Sequence, residues 1–236
     1  MSKIDIKIAN KIANIMLNNS EKLNCIDMEM LELLETGLLD IKRNKSANVI
    51  VVSGSGNKAF STGGNLKDFG NLTGFREVKE WIVYGNEVFN LLEHMPMATV
   101  AAISGYTIGG GLELALSCDL RIATENSIFS MPELQHGWIP GWGGLTKLRR
   151  LIGEAKAKEL IMLGDRIDGK EALSFGLINK ICKQSDFHDV LDDITSRLSK
   201  VDPFIMEMSK ASIMDHGRTS ASNDLLFDAL ATNYSK

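Results

Sequence analysis

Ser104-Gly105-Tyr106-Thr107-Ile108-Gly109-Gly110-Gly111-Leu112-Glu113 runs from a strand through a glycine turn into a helix. Glycine here permits unusual backbone angles and close approach by a ligand. The first turn of the helix that follows leaves N–H groups without intrahelical acceptors. Working outward, Thr99 to Ile103 reads as the strand that feeds this turn, and Leu120 to Ala123 as the strand that leaves the short helix at about 110–117. Upstream, Ile4 to Ala9 and Lys11 to Asn18 are short β-type runs. Ala47 to Ser53 contains the continuous apolar Val49-Ile50-Val51-Val52 expected of a buried strand. Leu31, Leu34, Leu38 and Ile41 recur at three- and four-residue steps, predicting a helix over about 27–43 with Asp27 as its N-cap. Val78, Trp81, Ile82, Val88, Leu91 and Leu92 mark a second helix that stops before Pro96. The order is β-β-α-β with continued alternation, an α/β core. Beyond residue 154 the pattern predicts an almost wholly helical chain, with stretches near 154–163, 169–175, 186–199, 203–214 and 220–231.

Composition narrows the function classes. The chain has 236 residues, 44% of them hydrophobic, and a net charge of -4, which fits one globular fold with a sizeable core. Without a basic stripe, nucleic acid and anionic membrane surfaces are not expected partners. Cys25, Cys118 and Cys182 are odd in number and widely spaced, so neither a disulfide framework nor a zinc site is indicated, and a reducing cytoplasm is expected. Neither a signal-peptide pattern nor a membrane-spanning apolar run is expected. No repeat or linker divides the chain.

Two carboxylates stand beside these turns: Glu113 behind the triple glycine, and Glu133 in Met131-Pro132-Glu133. Together they suggest acid/base chemistry next to a prepared oxyanion site. A second glycine loop, Lys58-Ala59-Phe60-Ser61-Thr62-Gly63-Gly64-Asn65-Leu66, follows a buried strand, where its useful group is a backbone N–H. A phosphate-binding loop would need Lys-Ser/Thr after its last glycine, and Leu112-Glu113 supplies neither. Glu133-x-x-His136 matches half of a di-iron pattern but has no second copy, so no metal is expected and His136 reads as a structural or pocket-lining histidine.

KAFSTGGNL, SGYTIGGGLELALSCDLRIA, FSMPELQHGWIPGWGG and GDRIDGKEALSFGLINKI, with SEKLNCIDMEMLELL ahead of them, resemble the crotonase (enoyl-CoA hydratase/isomerase) superfamily over nearly the whole chain. The resemblance implies a crotonase-type β-β-α spiral core, residues 1–185, carrying an acyl-thioester site. A helical association or cap region, 186–236, would not fold independently. It implies assembly as a homotrimer or a dimer of trimers, and a thioester of coenzyme A or of an acyl carrier protein as substrate. No cofactor is expected, because coenzyme A belongs to the substrate. Gly64 and Gly110 would supply the two N–H groups of the oxyanion hole, with Gly63 and Gly109 shaping the turns. Ser61, Asn65, Leu66, His136 and Trp142 would line the substrate site, with Asn24, Cys25 and Lys67 near the nucleotide. Glu113 and Glu133 match the hydratase branch, which adds water to a 2-enoyl thioester in fatty-acid metabolism. Glu133 is the better candidate to deliver or remove the α-proton.

Asn65 stands where the family usually has aspartate, which puts a charged contact of that loop in doubt. Trp138 and Trp142 read either as walls of a short or aromatic acyl pocket or as core residues. The chain stops at Lys236 without the last helical segment of many relatives, so the expectation is either a different substrate closure or a shortened version of the chain. The helix FREVKEWIVYGNEVFNLL and MPELQHG also resemble carboxymethylproline synthases, which form carbon–carbon bonds from malonyl thioesters, but that branch lacks the glutamate at Glu113. Isomerase, decarboxylase and catalytically silent thioester-binding readings stay open at this point.

Overall fold

The computed structural model describes residues 2–65 and 74–214. Its strands are β1 (Ile4–Ala9), β2 (Ile12–Leu17), β3 (Val49–Gly54), β4 (Ala59–Ser61), β5 (Ala98–Ile103), β6 (Tyr106–Ile108), β7 (Leu120–Thr124), β8 (Ile128–Ser130), β9 (Ile167–Asp168) and β10 (Lys180–Cys182). Its helices are α1 (Met28–Asn44), α2 (Phe75–Glu93), α3 (Gly110–Leu116), α4 (Gly144–Leu163), α5 (Gly169–Ser174), α6 (Phe187–Ser199) and α7 (Pro203–Met214).

The strands form two sheets, one of six in the order β1-β2-β3-β5-β7-β10 and one of four in the order β4-β6-β8-β9. The chain repeats one unit three times. A long strand in the first sheet (β3, β5, β7) turns at once into a short strand in the second (β4, β6, β8); α2 and α3 then return directly to the first sheet, whereas after β8 the chain runs through α4, β9 of the second sheet and α5 before β10 rejoins the first. This is the expected β-β-α spiral. Beyond the antiparallel β1/β2 pair the large sheet is parallel, with Val49 opposite Ala98 and Val100 opposite Leu120.

The apolar run of β3 is continuous because both of its faces are covered. Ile50 and Val52 join the main core with Leu31, Leu34 and Leu38 of α1, whereas Val49 and Val51 face Val190, Leu191, Ile194 and Leu198 of α6. Truncating one of the fully buried leucines to alanine would cost about 2–5 kcal/mol. α1 starts where Asp27 accepts from the Met30 N–H at 3.1 Å, and ends at Lys45, whose left-handed backbone returns its N–H to Ile41. Lys210 of α7 ties that helix down, donating to the Met97 carbonyl at 2.9 Å and pairing with Asp119 at 2.7 Å.

The C-terminal third is less helical than its periodicity implies. β9 and β10 interrupt it, β10 extending the large sheet beside β7 with Lys180 opposite Ile122. Strands of two and three residues are too short to show a period of two, so the helical pattern around them dominates. The stretch at 154–163 is the second half of α4, which begins at Gly144 and kinks at Gly153 (φ 76°). The expected helix at 220–231 lies outside the described residues. Among the described residues no helix is long and apolar enough to cross a membrane.

Candidate active site

Two glycine loops meet at one cavity. After β4 the chain pairs briefly with the segment ahead of α1: the Ile26 N–H donates to the Gly63 carbonyl at 2.7 Å and the Asn65 N–H to the Ile26 carbonyl at 2.8 Å. In a parallel bridge the central residue turns its own N–H the other way. Gly64 therefore directs its donor toward the cavity it lines. Gly63 has φ +83°, and a Cβ on it would stand 2.7 Å from the Gly110 nitrogen, so a side chain there would push the two loops apart. On the other loop, the Gly109 N–H is taken by the Ser130 carbonyl at 2.9 Å. Gly110 opens α3, where no preceding turn offers its N–H an acceptor.

Glu113 sits one turn into α3, almost fully buried. Its Oε1 accepts from the backbone N–H groups of Trp142 (2.8 Å) and Gly144 (2.7 Å). Burial pushes its pKa up to about 7; the two N–H groups pull the other way and the nearby Glu133 adds to the rise, and desolvation wins. Glu133 opens a 3-10 turn at Glu133–His136. That turn is fastened by the Trp138 N–H on the Glu133 carbonyl (2.9 Å) and by the Gln135 side chain on the Met162 carbonyl (3.0 Å). Burial raises the Glu133 carboxyl above its usual range, and its Oε2 is buried without a hydrogen-bond partner among the described residues. Glu113 and Glu133 thus face one cavity of about 300 Å³, beside Gly64 and Gly110.

The rest of that cavity is apolar. Trp142 is buried, its ring 4.5 Å from Trp81 and 5.1 Å, edge-on, from Phe89. Trp81, Ile82, Trp138 and Ile139 continue the wall. Trp142 is therefore both core residue and pocket wall. Trp138 and Ile139 are solvent-exposed at its mouth. In the sequence Trp81 and Ile82 read only as the apolar stripe of a helix; no sequence signal separates a stripe residue facing a cavity from one facing the core.

The structure brings together Gly64, Gly109, Gly110, Glu113, Glu133, His136 and Trp142, all lining the cavity. His136 is exposed at its edge. Asn24, Cys25, Ser61, Gly63 and Asn65 are not among the residues lining that cavity, the last three belonging to the glycine loop itself. The Asn24 amide is fully buried and donates to the carbonyls of Ser55 (3.0 Å) and Ala59 (2.8 Å). The Ser61 hydroxyl donates to the Asn24 carbonyl (2.8 Å) and accepts from the Gly63 N–H (3.2 Å). Cys25 is half-buried. Leu66 and Lys67 lie outside the described residues. No cluster of three or more His, Cys, Asp or Glu among the described residues is arranged to hold a metal ion.

The family described as enoyl-CoA hydratase/isomerase matches residues 7–232. A short-chain-enoyl-CoA hydratase of Clostridium acetobutylicum is 30% identical over 213 residues, covering 90% of this chain and 81% of its own. A crotonyl-CoA hydratase of Syntrophomonas wolfei is 30% identical over 219 residues, 93% of this chain and 84% of its own. The crystal structure of an enoyl-CoA hydratase from Bacillus anthracis superposes with a TM-score of 0.92 at 29% identity, covering 98% of this chain and 90% of that one.

Proposed function

The chain belongs to the enoyl-CoA hydratase/isomerase family, and from that premise we propose that it adds water reversibly across the double bond of a short 2-enoyl-CoA thioester. The observation that carries the reading is the pair Glu113, buried, and Glu133, half-buried, two carboxyls facing one cavity beside two glycine N–H groups.

In this mechanism the thioester carbonyl oxygen accepts from the N–H groups of Gly64 and Gly110. Negative charge that develops there as the enolate forms is held by fixed dipoles, and one such donor is typically worth about 10²–10³ in rate. Glu113, held by two backbone donors and poised near neutrality, takes a proton from the water whose oxygen bonds to Cβ. Glu133, whose carboxyl burial pushes above its usual range and whose Oε2 has no hydrogen-bond partner among the described residues, gives a proton to Cα. A second water returns the proton from Glu113 to Glu133 and resets the pair. Two interacting carboxyls titrate as a pair, so the ionised-plus-protonated state suits both roles at once.

Several finer points belong to the same reading. The tryptophan wall favours a short acyl group. Residues 1–185 carry the site and 186–236 the association or cap function. Leu145, Leu151, Met162 and Leu163 are exposed on α4, which supports self-assembly as a trimer or dimer of trimers. The odd number and wide spacing of Cys25, Cys118 and Cys182 support a reducing cytoplasm. Acyl-CoA needs no further cofactor for this reaction, and fatty-acid metabolism is the setting in which such a thioester arises.

The test is loss of enoyl-thioester absorbance from crotonyl-CoA, with the product identified as the 3-hydroxyacyl thioester. Glu113→Gln and Glu133→Gln should each slow it by about 10²–10⁴. Migration of the double bond in a 3-enoyl thioester without water incorporation would assign an isomerase instead. Binding of the ester without turnover would remove the hydratase reading.

A further inference from the structure

Beneath the two carboxyls lies a set of buried charges that the hydration step does not use. Lys147, in the first turn of α4, is 4% exposed. Its Nζ is 3.1 Å from Glu93 Oε2 at the end of α2, and it donates to the Ser117 hydroxyl at 2.7 Å. Ser117 donates in turn to the Glu113 carbonyl at 2.9 Å. The other Glu93 oxygen pairs with Arg150, one turn further along α4.

The geometry ties this set to the acid/base site through one turn. Gly144 gives its N–H to the Glu113 carboxylate, and a Cβ on it would stand 2.9 Å from Glu113 Oε1. A Cβ on the adjacent Gly143 would stand 3.2 Å from Lys147 Nζ. Carboxylate and ammonium thus flank the same two glycines, and the Lys147 N–H closes the turn on the Gly143 carbonyl at 3.0 Å. A buried ion pair is a poor way to gain stability, because desolvating both charges offsets most of their attraction and well-packed apolar residues serve as well or better. A cation at that depth does have one effect that no apolar residue reproduces: a field at the neighbouring carboxylate.

We propose that Lys147 is a positioning residue for the reaction, holding the Gly143-Gly144 turn against Glu113 and biasing Glu113 toward its ionised form, with Glu93 tempering the strength of that bias. The proposal rests on the reading of Glu113 as the group that activates water. The charges facing Glu113 are Glu133, from the 3-10 turn, and Lys147, from α4; those facing Lys147 are Glu93, from α2, with Arg150 and Glu113. Burial lowers the Lys147 pKa and Glu93 opposes the fall. Glu93 is held below the usual carboxylate range by Lys147 and Arg150 although burial, the largest single influence, acts the other way.

The two partners then act on Glu113 with opposite signs. Removing the cation in Lys147→Met raises the pH at which Glu113 ionises, whereas removing the anion in Glu93→Gln leaves the cation unopposed and lowers it. Two readouts follow: the carboxyl titration of Glu113 by 13C NMR of glutamate-labelled protein, assigned with Glu113→Gln, and the acidic limb of kcat/KM for crotonyl-CoA. Both should rise by about one pH unit in Lys147→Met, fall in Glu93→Gln, and return toward wild type in Lys147→Arg. Lower melting temperatures with Glu113 titrating at the wild-type pH in all three variants would overturn the proposal, leaving Lys147 a structural residue. If Lys147→Met does not fold, the downward shift in Glu93→Gln and its absence in Lys147→Arg decide the same question. Opposed shifts in the NMR titration of a protein that does not hydrate crotonyl-CoA would sustain the field at Glu113 and remove the hydratase reading alone.

Discussion

The carboxyl of Glu133 occupies the space that any side chain at Gly109 would need: a Cβ on Gly109 would stand 2.7 Å from Glu133 Oε1. Gly109 also has φ +54° and ψ −124°, a conformation that costs an alanine about 1–3 kcal/mol. Gly109, the first of the three glycines, thus serves the acid as well as the oxyanion loop. In Gly109→Ala, Glu133 must retreat from the cavity, and a displacement of about 1 Å is enough to cost roughly 10²-fold in rate. The expected result is a loss of that size in kcat for crotonyl-CoA hydration with a smaller change in KM. Near-wild-type kcat would show that Glu133 tolerates displacement and is not the proton donor.

Glu113 should exact a stability cost that depends on pH. Its pKa of about 7 in the fold stands above the ordinary carboxylate value of 4.5, so between those two values the folded protein binds more protons than the unfolded chain. Stability contributed by this group is fully present below about pH 4.5 and lost as pH rises through 7. At 1.36 kcal/mol per unit the full loss is about 3 kcal/mol. Glu113→Gln escapes that loss, so its melting temperature relative to wild type should climb from pH 5 to pH 8 while activity collapses. A difference that stays flat across this range would show that Glu113 is not held near neutrality.

The long-range pattern of this fold was legible because its signals are long. Leu31, Leu34, Leu38 and Ile41 behind Asp27 specify α1, and Val49 to Val52 specify a strand buried on both faces. Strands β4, β6 and β8 have three residues each and show no period of their own, so the second sheet, on which both glycine loops stand, could not be read. Glu113, Glu133 and the glycines were legible because their types are unusual behind strands. Trp81 was not, since it looks like any stripe residue of an amphipathic helix. Nor were Lys147 and Glu93, because a lysine or glutamate in a helix reads as solvated surface until the fold shows what covers it.

Gly64 differs from Gly63 and Gly109 in that its backbone does not lie in the left-handed region; what excludes a side chain there is Trp81, whose ring would stand 2.4 Å from the new Cβ. Gly64→Ala should therefore lower activity about 10²-fold by shifting an oxyanion donor. In a Trp81→Leu background most of that loss should disappear, because the obstacle has gone, giving a coupling that independent sites do not show. Trp81→Leu alone should also move acyl preference, raising kcat/KM for a 2-hexenoyl relative to a crotonyl thioester by about tenfold. Additive losses in the double variant would place the obstacle at Gly64 somewhere other than Trp81.

Asn24 separates two explanations for the loop that precedes α1. It has φ +53°, which asparagine tolerates better than most residues. Its side chain spends both donors on the carbonyls of Ser55 and Ala59, and its oxygen accepts from the Asn19 N–H and the Ser55 hydroxyl. Nothing of that amide is left for a ligand, yet the loop it fastens holds Ser61 and, through Ser61, Gly63. Asn24→Ala leaves the buried Ala59 carbonyl and the part-buried Ser55 carbonyl without their donor, at most about 1–3 kcal/mol each, and should lower Tm by roughly 5–10 °C in a chain of this size. Because the damage reaches the site through the glycine loop, kcat/KM should fall by a similar factor for crotonyl-CoA and for crotonyl-pantetheine, which lacks the nucleotide. A loss confined to the CoA ester, at unchanged Tm, would instead make Asn24 a direct contact for the nucleotide end of the substrate.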